Sequence, residues 1–310
     1  MIDFFHNKYN KTFTIKNTFL IKLKLPQLMR LMISQVANAL IPFVLRVSGK
    51  RGFNKGQKTT DIVLSLTSFP RRISKVHLVI ESIFRQTIRP RKIILWLSKE
   101  QFSGLQDVPN QLLECQRGGL EIRFTEGDLR SYKKYYFLLK ENFDQDFIII
   151  DDDIFYPSNL IENIIKSKNQ FPNTICANRC ALIDMEKPYS GWKILKGPKI
   201  EKRFDLLPTG CGGVYYPAGS LNRDVLNREL FMELSFDADD LWLNCMAFLN
   251  KTKVSYTGGC EYYIGIQSYN NEHLHNKNVG KSNNDYRISL IRDYYVKERG
   301  IDLFNRTKID

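Results

Sequence analysis

Three aspartates, Asp151, Asp152 and Asp153, stand side by side directly after the apolar run Phe147 to Ile150, and Pro157 and Ser158 follow as a helix start. In an extended segment alternate side chains share a face, so Asp151 and Asp153 are expected to point one way and Asp152 the other. Adjacent carboxylates repel unless a cation, a guanidinium or a proton relieves them. A divalent ion does so economically, because Mg2+ or Mn2+ takes one or two carboxylates and fills its shell with water and substrate phosphates. A solvated strand end explains one aspartate better than three. Further along, "SFDADDLWLNCMAFLN" places Asp237 as the cap of a helix with Asp239 and Asp240 in its first turn. Asp240, with Asp239 as the competing choice, is a candidate general base; the alternative is an acidic cluster that only favours the helix N-terminus. His273 and His275, two of four histidines, lie in the polar run "NNEHLHNKNVG", where solvation competes with metal ligation. "LPTGCGGVYYP" packs glycines closely enough for the backbone to turn sharply or for a ligand to approach it, which makes Gly212 and Gly213 candidates for ligand contact. Trp192 is a candidate for stacking on a ligand ring, whereas Trp242 falls in the core of its helix.

These residues need a frame. "DIVLSLTSFP", "KIILWLS", "LEIRFTE" and "DFIIIDDD" read as buried strands, and Val76, Val79, Ile80, Ile83 and Phe84 as the buried stripe of a helix between the first two. A further helix is expected over residues 128 to 140, another with Leu160, Ile161, Ile164 and Ile165 buried, and a strand in "TICANRCALI". Alternation of this kind predicts an α/β fold, an open, twisted, mostly parallel sheet flanked by helices, whose ligands sit beyond the carboxyl ends of the strands. Thr67, Ser68 and the aspartates then share one rim.

The chain has 310 residues, 43% of them hydrophobic, enough for a substantial core. Its formal charge of +13 is uneven: residues 1 to 60 hold eleven Lys and Arg against Asp3 alone, a net +10, which leaves +3 for the other 250. That asymmetry points to a basic arm over residues 1–58 that meets an anionic surface, followed by a domain over 59–310. The arm lacks the interleaved aromatics used for stacking on bases, so nucleic acid is not the expected partner. In "QLMRLMISQVANALIPFVLRV" the residues Arg30, Ser34, Asn38, Pro42 and Arg46 form a narrow polar stripe on a helix. The stripe favours lying in a membrane interface, or docking on the neighbouring domain, over crossing a bilayer. The six cysteines follow no small-scaffold spacing and suit reduced thiols in a cytosolic setting.

Taken in order, "LSLTSFPRRI", "SIFRQTIRPRKIILWLS", the Asp-any-Asp run, "DLRSYKKYYFLL" and "DADDLW" resemble the A-type, Rossmann-like glycosyltransferases of the bacterial surface-polysaccharide kind, over about residues 60 to 250. The resemblance implies a metal-dependent hexosyl transfer from a nucleotide-sugar donor, a UDP-sugar favoured, to a lipid-linked or polysaccharide acceptor at the inner face of the cell membrane. It implies a nucleotide-binding half, 59–155, and an acceptor half, 156–310, with Thr67, Ser68 and Phe69 at the nucleoside, Arg71, Arg72 and Lys134 near the diphosphate, and Trp192, Gly212 and Gly213 at the acceptor. Asp151 and Asp152 would lie at the donor, and Asp151, Asp153 and His275 at a Mn2+ or Mg2+ ion. An aspartate base implies inversion at the anomeric carbon. Two rivals stand beside this reading. A haloacid-dehalogenase-like phosphatase would need Thr or Val where Phe155 stands and places its motif on the opening strand. A non-catalytic glycan-binding scaffold would need neither the metal motif nor Asp240.

Overall fold

The computed structural model describes residues 1–49, 51–197, 201–259, 262–267 and 283–306. Eight strands form its central sheet: β1 Val63–Thr67, β2 Lys92–Ser98, β3 Leu120–Thr125, β4 Phe147–Ile149, β5 Ile175–Ala177, β6 Glu201–Arg203, β7 Val214–Tyr216 and β8 Val254–Tyr256. Their spatial order is β6-β8-β5-β7-β4-β1-β2-β3. The run β4-β1-β2-β3 is parallel throughout, and β5 pairs with β8 in parallel. Only β7 and the edge strand β6 run the other way. The expected mostly parallel open sheet is therefore present.

Strand residues sort by parity onto two cores, as side chains of period two must. Val63, Phe147 and Ile149 join one apolar cluster with Tyr132, Tyr135 and Trp242. Leu64, Leu66, Ile148 and Ile150 join the other with Val76, Val79, Ile80 and Ile161. Of the main helices, α1 Ile2–Lys11, α2 Leu25–Ser48, α3 Val76–Ile83 and α5 Leu160–Gln170 lie on the second side, and α4 Tyr136–Glu141, α6 Asp239–Leu249 and α7 Asn283–Arg299 on the first.

Several local expectations are corrected. Residues 128 to 140 do not form one helix: a 3-10 turn, Arg130–Lys134, precedes α4, and Arg130 takes a left-handed φ of 50°. "TICANRCALI" is split, because β5 ends at Ala177 and Cys180–Leu182 belongs to a separate three-stranded sheet with Lys193–Ile194 and Leu206–Pro208. Asp237 does not cap α6, whose N-cap is Ala238; it binds the Asn283 amide at 2.5 Å and the Arg287 guanidinium at 3.0 Å instead.

The basic arm packs into the fold. Ile2, Phe5, Ala37, Ile41 and Leu45 are buried in the same cluster as β1 and α3. The polar stripe of α2 does not face water throughout, because Asn38 lies at the seam with the domain. Its Nδ2 donates to Gly265 O at 3.0 Å and its Oδ1 accepts from Gln267 N at 2.8 Å. That segment leads to the aspartates, since Ile266 N donates to Asp153 O at 2.7 Å and Gly265 bridges Ile154. Asp3 accepts from both Ser158 N and Ser158 Oγ, at 2.7 and 2.8 Å.

Candidate active site

The sheet places its polar rim where the alternation of elements predicts, but the aspartates do not alternate there. β4 ends at Ile149, so Asp151 to Asp153 leave the strand and are divided by their partners. Asp152 and Asp153 turn to the β1 side: Ser68 Oγ donates to Asp152 Oδ2 at 2.6 Å, and Arg72 Nη1 reaches Asp152 Oδ1 at 2.7 Å and Asp153 Oδ2 at 2.9 Å. Asp151 instead pairs with Lys134, and its backbone N–H donates to Tyr156 Oη at 2.9 Å. Asp151 and Asp153 thus do not share a face.

Arg72 sits in the four-residue helix Pro70–Ile73, which opens at the end of β1, and its guanidinium lies 5.3 Å from the Phe69 ring centre. Burial disfavours its charge, but Asp152 and Asp153 overcome that and hold the proton more firmly than usual. Thr67 Oγ1 donates to Trp96 O at 2.8 Å, so this hydroxyl braces β1 against β2. Arg71 points outward, exposed.

Lys134 is drawn to the rim by its backbone. Its carbonyl accepts from Ser65 Oγ on β1, and Ser65 in turn accepts from Trp96 Nε1 at 2.9 Å. Its buried ammonium pairs with Asp151 and lies 3.7 Å from Asp239 Oδ2, which is buried and has no hydrogen-bond partner among the described residues. Burial opposes the Lys134 charge, but Asp151, Asp239 and Asp240 together raise its pKa.

Asp240 is held by the Thr209–Gly212 turn: Gly210 N–H is shared between its two oxygens at 3.0 and 3.1 Å. Burial and then the adjacent Asp239 push its carboxyl up to about 8, with Lys134 opposing. Burial, followed by Asp152, likewise pushes Asp153 up to about 7 against the pull of Arg72. For both carboxyls burial, reinforced by a neighbouring carboxylate, outweighs the nearby cation, a common signature of chemical sites.

Gly210 is the glycine that matters here. A Cβ on it would lie 3.2 Å from Asp240 Oδ1, 3.4 Å from Asp151 Oδ1 and 3.6 Å from Lys134 Nζ. Gly212 and Gly213 serve packing instead: a Cβ on Gly212 would meet Arg179 Cβ at 2.6 Å, and Gly213 takes φ 76° against Leu160. Trp192 is corrected as a sugar platform, because it is buried, donates from Nε1 to Asp184 O at 2.8 Å and packs on Tyr189. Trp242 is buried as expected. His273 and His275 lie outside the described residues. Tyr156, Ser65, Gly210 and Arg179 escaped the sequence reading. Only Gly210 had a signal, its place in the glycine-rich run.

Among the described residues no three His, Cys, Asp or Glu side chains converge as a metal cage. The chemistry of the donor set nonetheless fits Mg2+ or Mn2+, which need only one or two carboxylates beside water and phosphate. Asp153 is the carboxylate that fits, since burial and the adjacent Asp152 make its negative charge costly even with Arg72 beside it, and a divalent ion would relieve that cost. Asp151 is committed to Lys134.

No family model and no curated protein sequence matches this chain. Among solved structures it is similar to S. aureus TarS 1–349, with a TM-score of 0.43 and 12% identity over 77% of this chain and 75% of that one. It is also similar to the mannosyltransferase PcManGT from Pyrobaculum calidifontis in complex with GDP-Man and Mn2+, with a TM-score of 0.41 and 12% identity over 85% and 72%. A third is the UTP-bound UGPase from Acinetobacter baumannii, with a TM-score of 0.40 and 8% identity over 79% and 96%.

Proposed function

We propose that this chain is a glycosyltransferase that moves a sugar from a nucleotide-sugar donor, a UDP-sugar favoured, to an acceptor hydroxyl with inversion. One observation carries the reading. At the carboxyl ends of the parallel strands, a cationic pair, Arg72 and Lys134, and two carboxyls of raised pKa, Asp153 and Asp240, surround one rim. Such a rim has a diphosphate-binding side and a proton-accepting side. A Mg2+ or Mn2+ ion at Asp153 would neutralise charge on the leaving diphosphate.

The chain's own residues do the rest. Arg72, braced by Asp152 and stacked near Phe69, directs its positive charge at the donor side. Lys134 holds Asp151 beside the acidic start of α6 and keeps that cluster from repelling itself apart. Asp240, fixed by Gly210 N–H, takes the acceptor proton as the oxygen bonds to the anomeric carbon and the bond to the diphosphate oxygen breaks. Attack from the side opposite the leaving group inverts the centre.

The arm supports action at a membrane. Among the described residues, fifteen of the twenty exposed large apolar side chains lie between Met1 and Val47, including Leu28, Met32, Val36, Leu40, Phe43 and Val47 on α2. α2 is long and apolar enough to cross a bilayer. Crossing would carry Asn38 and its partners Gly265 and Gln267 into hydrocarbon, a cost that an in-plane seat avoids. On this reading the chain works at the inner face of the cell membrane, its basic arm against anionic lipid and its acceptor a lipid-linked or polymeric glycan.

The test is binding of UDP, GDP and CDP to the purified protein with and without Mn2+, for the parent and for Asp153→Ala. Manganese-dependent binding of one nucleotide, lost in Asp153→Ala, is expected. No binding of any of the three by folded protein would overturn the proposal and return the phosphatase reading to the front.

A further inference from the structure

Arg179 follows β5 and enters neither the donor side nor the proton-accepting step described above. Arginine is rarely buried unless paired. Here the side chain is half-buried, yet among the described residues no carboxylate forms an ion pair with it. Its one side-chain hydrogen bond runs from Nη1 to Thr209 Oγ1 at 2.8 Å. Thr209 begins the same turn whose next residue, Gly210, holds Asp240, so guanidinium and carboxyl flank a single stretch of backbone. The Arg179 backbone is fixed there too, with its carbonyl accepting from Thr209 N at 3.1 Å and its Cβ filling the space a side chain on Gly212 would need.

With Nη1 tied to Thr209, the Nε and Nη2 donors are left as one planar edge, the fork that matches two oxygens of a phosphate or carboxylate. The groups that act on its charge are Cys211, Tyr189, Asp240 and Tyr262, whereas those on Arg72 are the three consecutive aspartates. Arg179 is bonded to Thr209 and Arg72 to Asp152 and Asp153, so the two guanidiniums stand at different segments of the rim.

We infer that the Nε–Nη2 edge of Arg179 is an oxyanion subsite on the acceptor side of Asp240, and that the acceptor carries a phosphate or carboxylate group near the hydroxyl that reacts. The acceptor assignment rests on the proposed transfer; the oxyanion subsite does not. Beside an anionic acceptor, Arg179 has a positioning role that a neutral glycan would leave unused.

The experiment is calorimetric titration of the full chain with inorganic phosphate and, separately, with glucuronate, first without nucleotide and then in saturating UDP and Mn2+. The parent, Arg179→Gln and Arg179→Lys are compared, each checked for folding by circular dichroism. One anion is expected to bind the parent in both conditions and to bind Arg179→Gln about tenfold or more weakly, as loss of a charged hydrogen-bond pair demands. Arg179→Lys should fall between, keeping the charge and losing the fork. The tighter of the two anions identifies the acceptor group as phosphate or carboxylate. Absence of anion binding to the parent, or equal binding to Arg179→Gln, would overturn the subsite. Should Arg179→Gln weaken UDP as well, the guanidinium reads the donor and the acceptor assignment fails. If the parent binds anion but no nucleotide, the transfer reading fails while the subsite stands.

Discussion

Lys134 Nζ pairs with Asp151 at the end of β4 and lies 3.7 Å from Asp239 Oδ2 at the start of α6, so one ammonium ties the sheet rim to the acidic helix. Removing it strands Asp151, Asp239 and Asp240 near one another in a poorly solvated place. Breaking a buried pair by deleting one partner costs about 3–5 kcal/mol. Lys134→Met is therefore expected to lower the urea midpoint at pH 8 by that much stability. The deficit should shrink as the pH falls and the carboxylates take up protons. An unchanged midpoint at pH 8 would show that the ammonium is not what holds this cluster.

The raised Asp240 carboxyl gives two predictions of opposite sign. As a base it must be ionised, so kcat/KM is expected to climb with pH and level off above about 8, and Asp240→Asn should abolish turnover. For stability the direction reverses. A carboxyl whose folded pKa lies above its unfolded value binds its proton more tightly when folded, and its contribution is lost as pH rises from the ordinary carboxylate range to about 8. Asp240→Asn keeps an oxygen for Gly210 N–H and removes the charge. Its melting temperature at pH 8 should rise by about 1–2 °C for each kcal/mol gained in a chain of this length. A variant less stable than the parent at pH 8 would contradict the raised pKa.

The frame of this site was legible and its wiring was not. Continuous apolar strands such as Val63–Thr67 and Phe147–Ile149 announce themselves, because burial on both faces leaves no polar positions. The rim residues Ser68 and Asp152 followed from the rule that such sheets bind ligands at strand ends, and Asp240 from the acidic first turn of its helix. Side-chain direction did not follow, since the chain departs from β4 before Asp151 and period-two reasoning no longer applies. The Lys134–Asp151 and Arg179–Thr209 contacts join residues distant in sequence, and nothing in local composition marks them. Of the two seats the polar stripe allowed, membrane interface or neighbouring domain, Asn38 takes the second, because its amide donor and acceptor pair with the backbone of Gly265 and Gln267.

Gly210 offers a test of the site's packing. Its φ is not in the left-handed region, so alanine meets no backbone penalty there, only the carboxylates and ammonium 3.2 to 3.6 Å from the new methyl group. Gly210→Ala is expected to fold with near-parent stability and to lose activity by about 10²-fold, because small displacements of a reacting group carry costs of that order. Gly219→Ala, whose Cβ would meet nothing within 4 Å but whose φ is 71°, should do the reverse, losing stability and keeping kcat. If the two variants behave alike, Gly210 has no special place beside Asp240.

The exposed face of α2 separates a membrane seat from a bare apolar surface. Leu40 and Phe43 are 45% and 64% exposed, so charging them should leave the fold intact. Flotation with vesicles of phosphatidylcholine and phosphatidylglycerol is expected to capture the parent. The double variant Leu40→Glu and Phe43→Glu should partition about tenfold or more weakly, since it loses buried apolar area and adds repulsion from anionic headgroups. Raising the salt from 0.1 to 1 M should weaken capture of the parent only in part, because screening removes the attraction of the basic residues and leaves the apolar insertion. By contrast, Asn38→Leu should bind vesicles like the parent yet weaken manganese-dependent nucleotide binding, because Asn38 acts through Gly265 and Ile266 on the backbone of Asp153. Failure of the parent to float with anionic vesicles at low salt would remove the membrane from the account of this arm. Its role would then be that of a brace for the aspartate segment alone.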